Sequence, residues 1–292
     1  MRFVTYQHAG TQALGLALRT ADGLRALDDS ARREVPFDLL TLIEQGPAAL
    51  HEAARLIEQY GRPVAEREID YLPPVLAPGK IICVGLNYLD HTRESNFEQP
   101  AYPTLFLRLP QSFVGHEQPL MRPSCSNQFD YEGELVAFIG QRGRYIPKER
   151  ALEHVIGYSV SNEGSVRDYQ FKSPQWTVGK NFDRSGSIGP DFVSADEVPA
   201  GGAGLKIETR VNGQTVQHAN TSEMVFDLAT VIALVSEAMV LEPGDVILTG
   251  TPSGVGLARK PQLFLHDGDV VEVQVEGIGL LCNRVVNEAR QS

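Results

Sequence analysis

Apolar and polar residues alternate in short blocks along much of the chain. RFVTYQ (2–7), ALGLALRT (13–20) and LRALD (24–28) carry the two-residue period of strands, and ADG (21–23) marks a turn between the last two. FDLLTLIEQGPAALHEAARLIEQYG (37–61) changes to helical spacing, and Gly46-Pro47 divides it into two short helices. YLPPVLAPGK (71–80) cannot continue a helix, because its prolines lack the N–H, and it predicts a linker. A small N-terminal α/β unit over 1–75 and a larger domain over 76–292 are therefore expected. From Lys80 onward, KIICVGLNY, LFLRL, ELVAFIG, VIGYSVSN, LKIETRVNG, DVILTG and DVVEVQVEGIG predict strands separated by Gly, Pro and Asp turns. One longer helix is predicted over SEMVFDLATVIALVSEAMVL (222–241), stopped by EPGD. Many strands and few helices imply a β-rich α+β fold, with no internal repeat.

DYEGELVAFIG (130–140) is the run whose pattern asks for chemistry. In a strand, Asp130, Glu132, Glu134 and Val136 share one face, so a row of acids runs into core. Two readings stand: each acid pairs with a cation on a neighbouring strand, or the acids hold a positive ligand. VSNEGSVRDYQ (160–170) places a further acid, Glu163, at a strand end, followed by Gly164, Arg167, Asp168 and Gln170. Three carboxylates without Cys or His would suit Mg²⁺, Mn²⁺ or Ca²⁺ rather than Zn²⁺.

Three further stretches join these. VGLNYLDHTRES (84–95) sets His91 and Glu94 three apart on a short predicted helix, where a carboxylate could orient an imidazole base or merely neighbour a surface histidine. WTVGKNFDRSGSIGP (176–190) puts Lys180 between glycine turns, either binding an anion or solvated. EPGDVILTGTPSGVG (242–256) empties a strand into a Gly/Thr loop whose backbone N–H groups and Thr251 hydroxyl could hold an anionic ligand, although it lacks a Walker pattern.

Composition narrows the partners. With 26 basic against 37 acidic residues and a net charge of −11, nucleic acid and anionic membranes are poor candidates. The three cysteines are scattered and lack CxxC spacing, which suits a reducing compartment. The start MRFVTYQHAG has no signal-peptide core and no run is long enough for a membrane helix, so a cytoplasmic location is expected.

In this order, ICVGLNYLDH, DYEGELVAFIG, NEGSVRDYQ, GKNFDRSGSIGP and LEPGDVILTGTPSGVG resemble the fumarylacetoacetate hydrolase family over roughly 78–286. The resemblance implies a mixed β-sandwich roll behind a small N-terminal domain, a homodimer, and Mg²⁺ or Mn²⁺ held by Glu132, Glu134 and Glu163. It implies catalytic roles for His91, Glu94, Lys180 and Gln170, and substrate contacts for Arg167 and Thr251. The implied activity is metal-dependent hydrolysis of a C–C bond in an acylpyruvate or related 2,4-diketo acid through a stabilised enolate. The alternative within the family is decarboxylation of an oxaloacetate-type 2-oxo acid, or keto–enol isomerisation as in aromatic catabolism. A binding protein that kept the fold without the chemistry is the third possibility. Two positions depart from the family pattern. The third acid is more often Asp, so Gly164 is expected to let the backbone retreat behind the longer Glu163; and Arg108 stands where a lysine is common. The polar segment 92–102 is expected to act as a lid, and Gln175 and Trp176 are candidate pocket residues.

Overall fold

The computed structural model describes residues 1–27, 35–36, 38–94 and 98–289. Its main sheet runs from edge to edge through Arg62–Val64, Gly23–Ala26, Leu14–Thr20, Arg2–His8, Gly186–Ser194, Val155–Asn162, Gly133–Ile139, Val246–Leu248, Ile81–Gly85 and Thr104–Arg108. A second sheet of five strands is ordered Gln214–Asn220, Lys206–Val211, Val270–Val275, Gly279–Asn287 and Leu120–Arg122.

The central strand Gly133–Ile139 is buried throughout, because both of its faces are covered. Leu135, Ala137 and Ile139 pack with Ile207, Val273 and Leu281 of the five-stranded sheet and with Val231, Ile232 and Val235. Val136 and Phe138 point the other way, toward Phe192 and toward Leu39, Leu42, Ile43, Leu50 and Ile57 of the N-terminal helices. Those helices, Leu39–Gln45 and Pro47–Tyr60, break at Gly46 as the spacing predicts. Phe37 and Asp28, the outer ends of two predicted elements, lie outside the described residues. The fold is the strand-rich α+β architecture expected.

Strands of the 1–75 segment continue the main sheet: Arg2 and Phe3 pair with Val193 and Phe192. Their partner Gly186–Ser194 is not visible in the hydrophobic pattern. GSIGPDFVS is too rich in small polar residues, yet every position is buried. The small residues suit a crowded sheet centre, where the Ser159 and Ser161 hydroxyls bond to the Asp191 (2.8 Å) and Ser187 (2.9 Å) carbonyls.

Two predicted elements need correcting. The long helix covers only Leu228–Ala238, capped by Asp227, whose side chain accepts the Thr230 N–H at 2.7 Å. The preceding Val225 and Phe226 stay outside the helix because their N–H groups donate to the backbone and side-chain oxygens of Asn87, each at 2.8 Å. The acidic row also breaks. Phe129–Asp130 pairs with Ser165–Val166 in a separate two-stranded sheet, so Asp130 leaves the face that Glu134 and Val136 share.

Candidate metal centre and active site

Glu132 and Glu134 flank Gly133 at the start of the central strand, and Glu163 follows its antiparallel neighbour Val155–Asn162. Gly133 is level with Asn162, and the Glu163 N–H donates to the Glu132 carbonyl at 2.7 Å. The three acids are therefore delivered to one point by strand register. One carboxylate oxygen from each lies within 4.8 Å of the others, and all three side chains are buried. Gly164 is needed at the crossing, because a Cβ there would lie 1.8 Å from the Ser185 carbonyl oxygen. The longer Glu163 still reaches the cluster.

The ion-pair reading of the acidic row holds for Glu132 and Glu163. Arg167 Nη1 (2.6 Å) and Lys180 Nζ (2.7 Å) pair with Glu132, while Lys180 (3.1 Å) and Arg108 Nη1 (3.3 Å) pair with Glu163. Burial would raise the Glu132 carboxyl, but the Lys180 and Arg167 charges hold it well below the usual range. Burial drives Glu134 the opposite way, well above its ordinary value, and the neighbouring Glu163 and Glu132 push it further. Burial raises Glu163 too, against the opposing charge of Lys180. Glu134 accepts the Gly250 N–H at 2.8 Å and, among the described residues, makes no ion pair. The donor set thus fits a divalent cation: three hard oxygens converge, and one of the three acids makes no ion pair among the described residues.

Around this centre opens a cleft whose apolar lining includes Leu86, Phe106, Trp176 and Leu257. Trp176 crosses Phe106 edge-on and lies against Gly85, where a Cβ would approach its ring to 2.4 Å. Gln175 is exposed instead. His91 lines the cleft from the helix Leu89–Glu94, and its Nδ1 lies 2.9 Å from Glu94 Oε1. Because a carboxylate only accepts, Nδ1 donates and Nε2 is the nitrogen left for chemistry. The lid expected over 92–102 falls partly on 95–97, outside the described residues.

Lys180 and Gln170 also line the cleft. Burial would lower Lys180, but Glu132 and Glu163 raise it, so it remains an ammonium donor rather than a base. Arg167 donates Nε to Asp130 (2.8 Å) and Nη1 to Glu132 and to Gln170 Oε1 (2.9 Å). Its Nη2 is buried without a hydrogen-bond partner among the described residues.

The loop after Val246–Leu248 holds anions, but they belong to the chain itself, which corrects the expected ligand loop. Gly250 donates to Glu134 (2.8 Å), Gly254 and Val255 to Glu94 (2.9 and 3.4 Å), and Gly256 and Leu257 to Asp130 (2.8 and 3.0 Å). The Thr251 hydroxyl is likewise spent: it donates to the Gly133 carbonyl (2.9 Å) and accepts from Gln217 Nε2 (2.8 Å). Thr251 lines the cleft but ties the loop to the central strand instead of offering a free hydroxyl. Gly254, at φ 106°, has no space for a side chain, because a Cβ would meet the Val216 carbonyl at 2.1 Å. The partners that Asp130 and Arg108 find do not follow from the sequence, which marks Asp130 only as the first of a row of acids and Arg108 only as a departure from the usual lysine.

A strand-rich α+β fold brings three carboxylates together at one cleft, a donor set suited to a hard divalent cation. The model of the fumarylacetoacetate (FAA) hydrolase C-terminal region matches residues 80–286, and the chain belongs to that family. The mitochondrial oxaloacetate tautomerase fahd2 of Xenopus laevis is 38% identical over 289 residues, which cover 98% of this chain and 90% of that one. The fumarylacetoacetate hydrolase of psychrophilic Exiguobacterium antarcticum is similar at 35% identity and a TM-score of 0.85, covering 99% of this chain and 100% of that one. Fumarylpyruvate hydrolase from Pseudomonas aeruginosa, solved with Mn²⁺ and pyruvate, matches at 33% identity and a TM-score of 0.67, over 75% of this chain and 92% of that one.

Proposed function

We propose that the chain is a Mg²⁺- or Mn²⁺-dependent enzyme that interconverts the keto and enol forms of a short 2-oxo diacid of the oxaloacetate type. The observation that carries this is one cleft holding Glu132, Glu134 and Glu163 beside the oriented His91–Glu94 pair. The similarity to an oxaloacetate tautomerase across nearly the whole chain supports the substrate class.

A dication held by Glu132, Glu134 and Glu163 would supply Lewis acidity toward the carbonyl and carboxylate oxygens of the substrate. Arg167 Nη2, without a partner among the described residues, is the donor offered to a substrate carboxylate, with the Gln170 amide beside it. His91 Nε2 takes a proton from the carbon next to the carbonyl, or returns it, while Glu94 steadies the imidazolium. Lys180, held charged by Glu132 and Glu163, donates toward the oxygen on which negative charge collects.

The same His91 geometry supports a second reading. Nε2 could take a proton from water, and the reaction would then be hydrolysis of an acylpyruvate, as the name of the Pseudomonas aeruginosa relative suggests. The two readings are separated by following enol absorbance and product identity with enol-oxaloacetate and with acylpyruvates. Rapid ketonisation that disappears with chelator, and no cleavage, is expected. Cleavage of an acylpyruvate without accelerated ketonisation would replace the first reading with the second. The His91→Ala variant is expected to lose about 10²–10⁴-fold in kcat with the preferred substrate.

A further inference from the structure

The third acid of the cluster has its own support. Arg108 ends the strand Thr104–Arg108 and is buried. Its guanidinium lies 4.2 Å above the Phe113 ring. Nε donates to Ser112 Oγ (3.1 Å), and Nη2 donates to Ser185 Oγ (2.9 Å) and the Ser112 carbonyl (3.4 Å). Nη1 divides between the Gly164 carbonyl (3.2 Å) and Glu163 Oε1 (3.3 Å). The seat is shaped for a planar fork. A Cβ on Gly186 would come within 3.0 Å of both terminal nitrogens of Arg108. Lysine could satisfy few of these acceptors, and it is a point charge where the seat offers several separated ones.

The two oxygens of Glu163 are thereby distinguished. Oε1 faces Arg108, whereas Oε2 is bridged through Lys180 Nζ to Glu132 Oε2 and so faces the cluster. We propose that Arg108 is a positioning residue that fixes Glu163 by Oε1, presents Oε2 to the cation, and thereby sets the divalent-metal affinity of the site. This rests on the three-carboxylate metal reading above. It assigns a role to a residue that touches neither metal nor substrate.

The test is calorimetric titration of chelator-stripped protein with MnCl₂. Arg108→Lys keeps the charge and removes the fork, so electrostatics is nearly constant and positioning alone is read. It is expected to weaken Mn²⁺ binding about tenfold, at the low end of the effect of losing a residue that orients a metal ligand. In a Glu163→Asp background, whose shorter side chain Nη1 no longer reaches, the same substitution is expected to cost less than about threefold. Ser185→Ala, which loosens the fork without touching Glu163, is expected to weaken binding by a smaller factor. It decides the matter if Arg108→Lys does not fold. An unchanged Kd in Arg108→Lys, or in Ser185→Ala where that variant decides, would overturn the proposal. So would equal losses from Arg108→Lys in the Glu163 and Asp backgrounds. Wild-type protein that takes up no Mn²⁺ would instead remove the metal reading itself.

Discussion

Glu134 is the acid of the cleft with no lysine or arginine of its own among the described residues. A carboxyl whose folded pKa is raised costs stability at neutral pH, whether it stays charged or takes up a proton. Glutamine would keep an acceptor for the Gly250 N–H and remove that cost. The metal-free Glu134→Gln variant is therefore expected to melt about 2–4 °C above wild type, equivalent to about 1 kcal/mol. It should also lack the rise in Tm that Mn²⁺ gives the wild type. Thermal scans with and without MnCl₂ check both points, and a lower metal-free Tm would contradict the first. At this scale the sequence was informative where residue types were unusual for their place: acids two apart in a strand, and a histidine three before a glutamate. It was silent where a partner lies far along the chain. Asp130 receives the Gly256 and Leu257 N–H groups from over a hundred residues away, and no local pattern encodes that.

Elements were legible wherever their period was clean, as in the two N-terminal helices and the strand Gly133–Ile139. They were illegible where tertiary partners overrode the period. Asn87 holds back the start of the helix Leu228–Ala238, and the serine-rich strand Gly186–Ser194 is a strand because of its neighbours. The short turn around His116 shows how such neighbours couple elements. Its Nδ1 accepts the Cys282 N–H at 3.0 Å, and its ring meets Tyr71 edge-on, so it joins the five-stranded sheet to the 1–75 segment. Burial lowers His116 to about 4, and the charge of Arg19 helps. Because the folded pKa is depressed, the unfolded chain takes up the proton first as the pH falls. The stability contribution is thus whole above about 6.5 and is lost progressively toward about 4. Across that window the wild type is expected to lose about 3 kcal/mol relative to His116→Asn, whose Oδ1 can still accept the Cys282 N–H. Urea unfolding of both proteins at several pH values reads the difference. Parallel pH profiles would contradict it.

For the whole molecule, the main sheet is continuous from the N-terminal strands to the strand Thr104–Arg108, and both faces of its central strands are covered. The pairing of Arg2 with Val193 that joins the 1–75 segment to the rest is a long-range contact, invisible to any window of sequence. The cleft was legible because its motifs are short, ordered and chemically unusual, while the cradle that holds them depends on tertiary contacts. That cradle leaves Glu134 without an ion-pair partner among the described residues, and the proposed dication would complete it. The most direct test is the anomalous difference map of a crystal soaked in MnCl₂. One peak is expected, at about 2.0–2.6 Å from an oxygen of each of Glu132, Glu134 and Glu163. A map without density between those three acids, or with Mn²⁺ bound only elsewhere, would contradict the metal centre and the chemistry built on it.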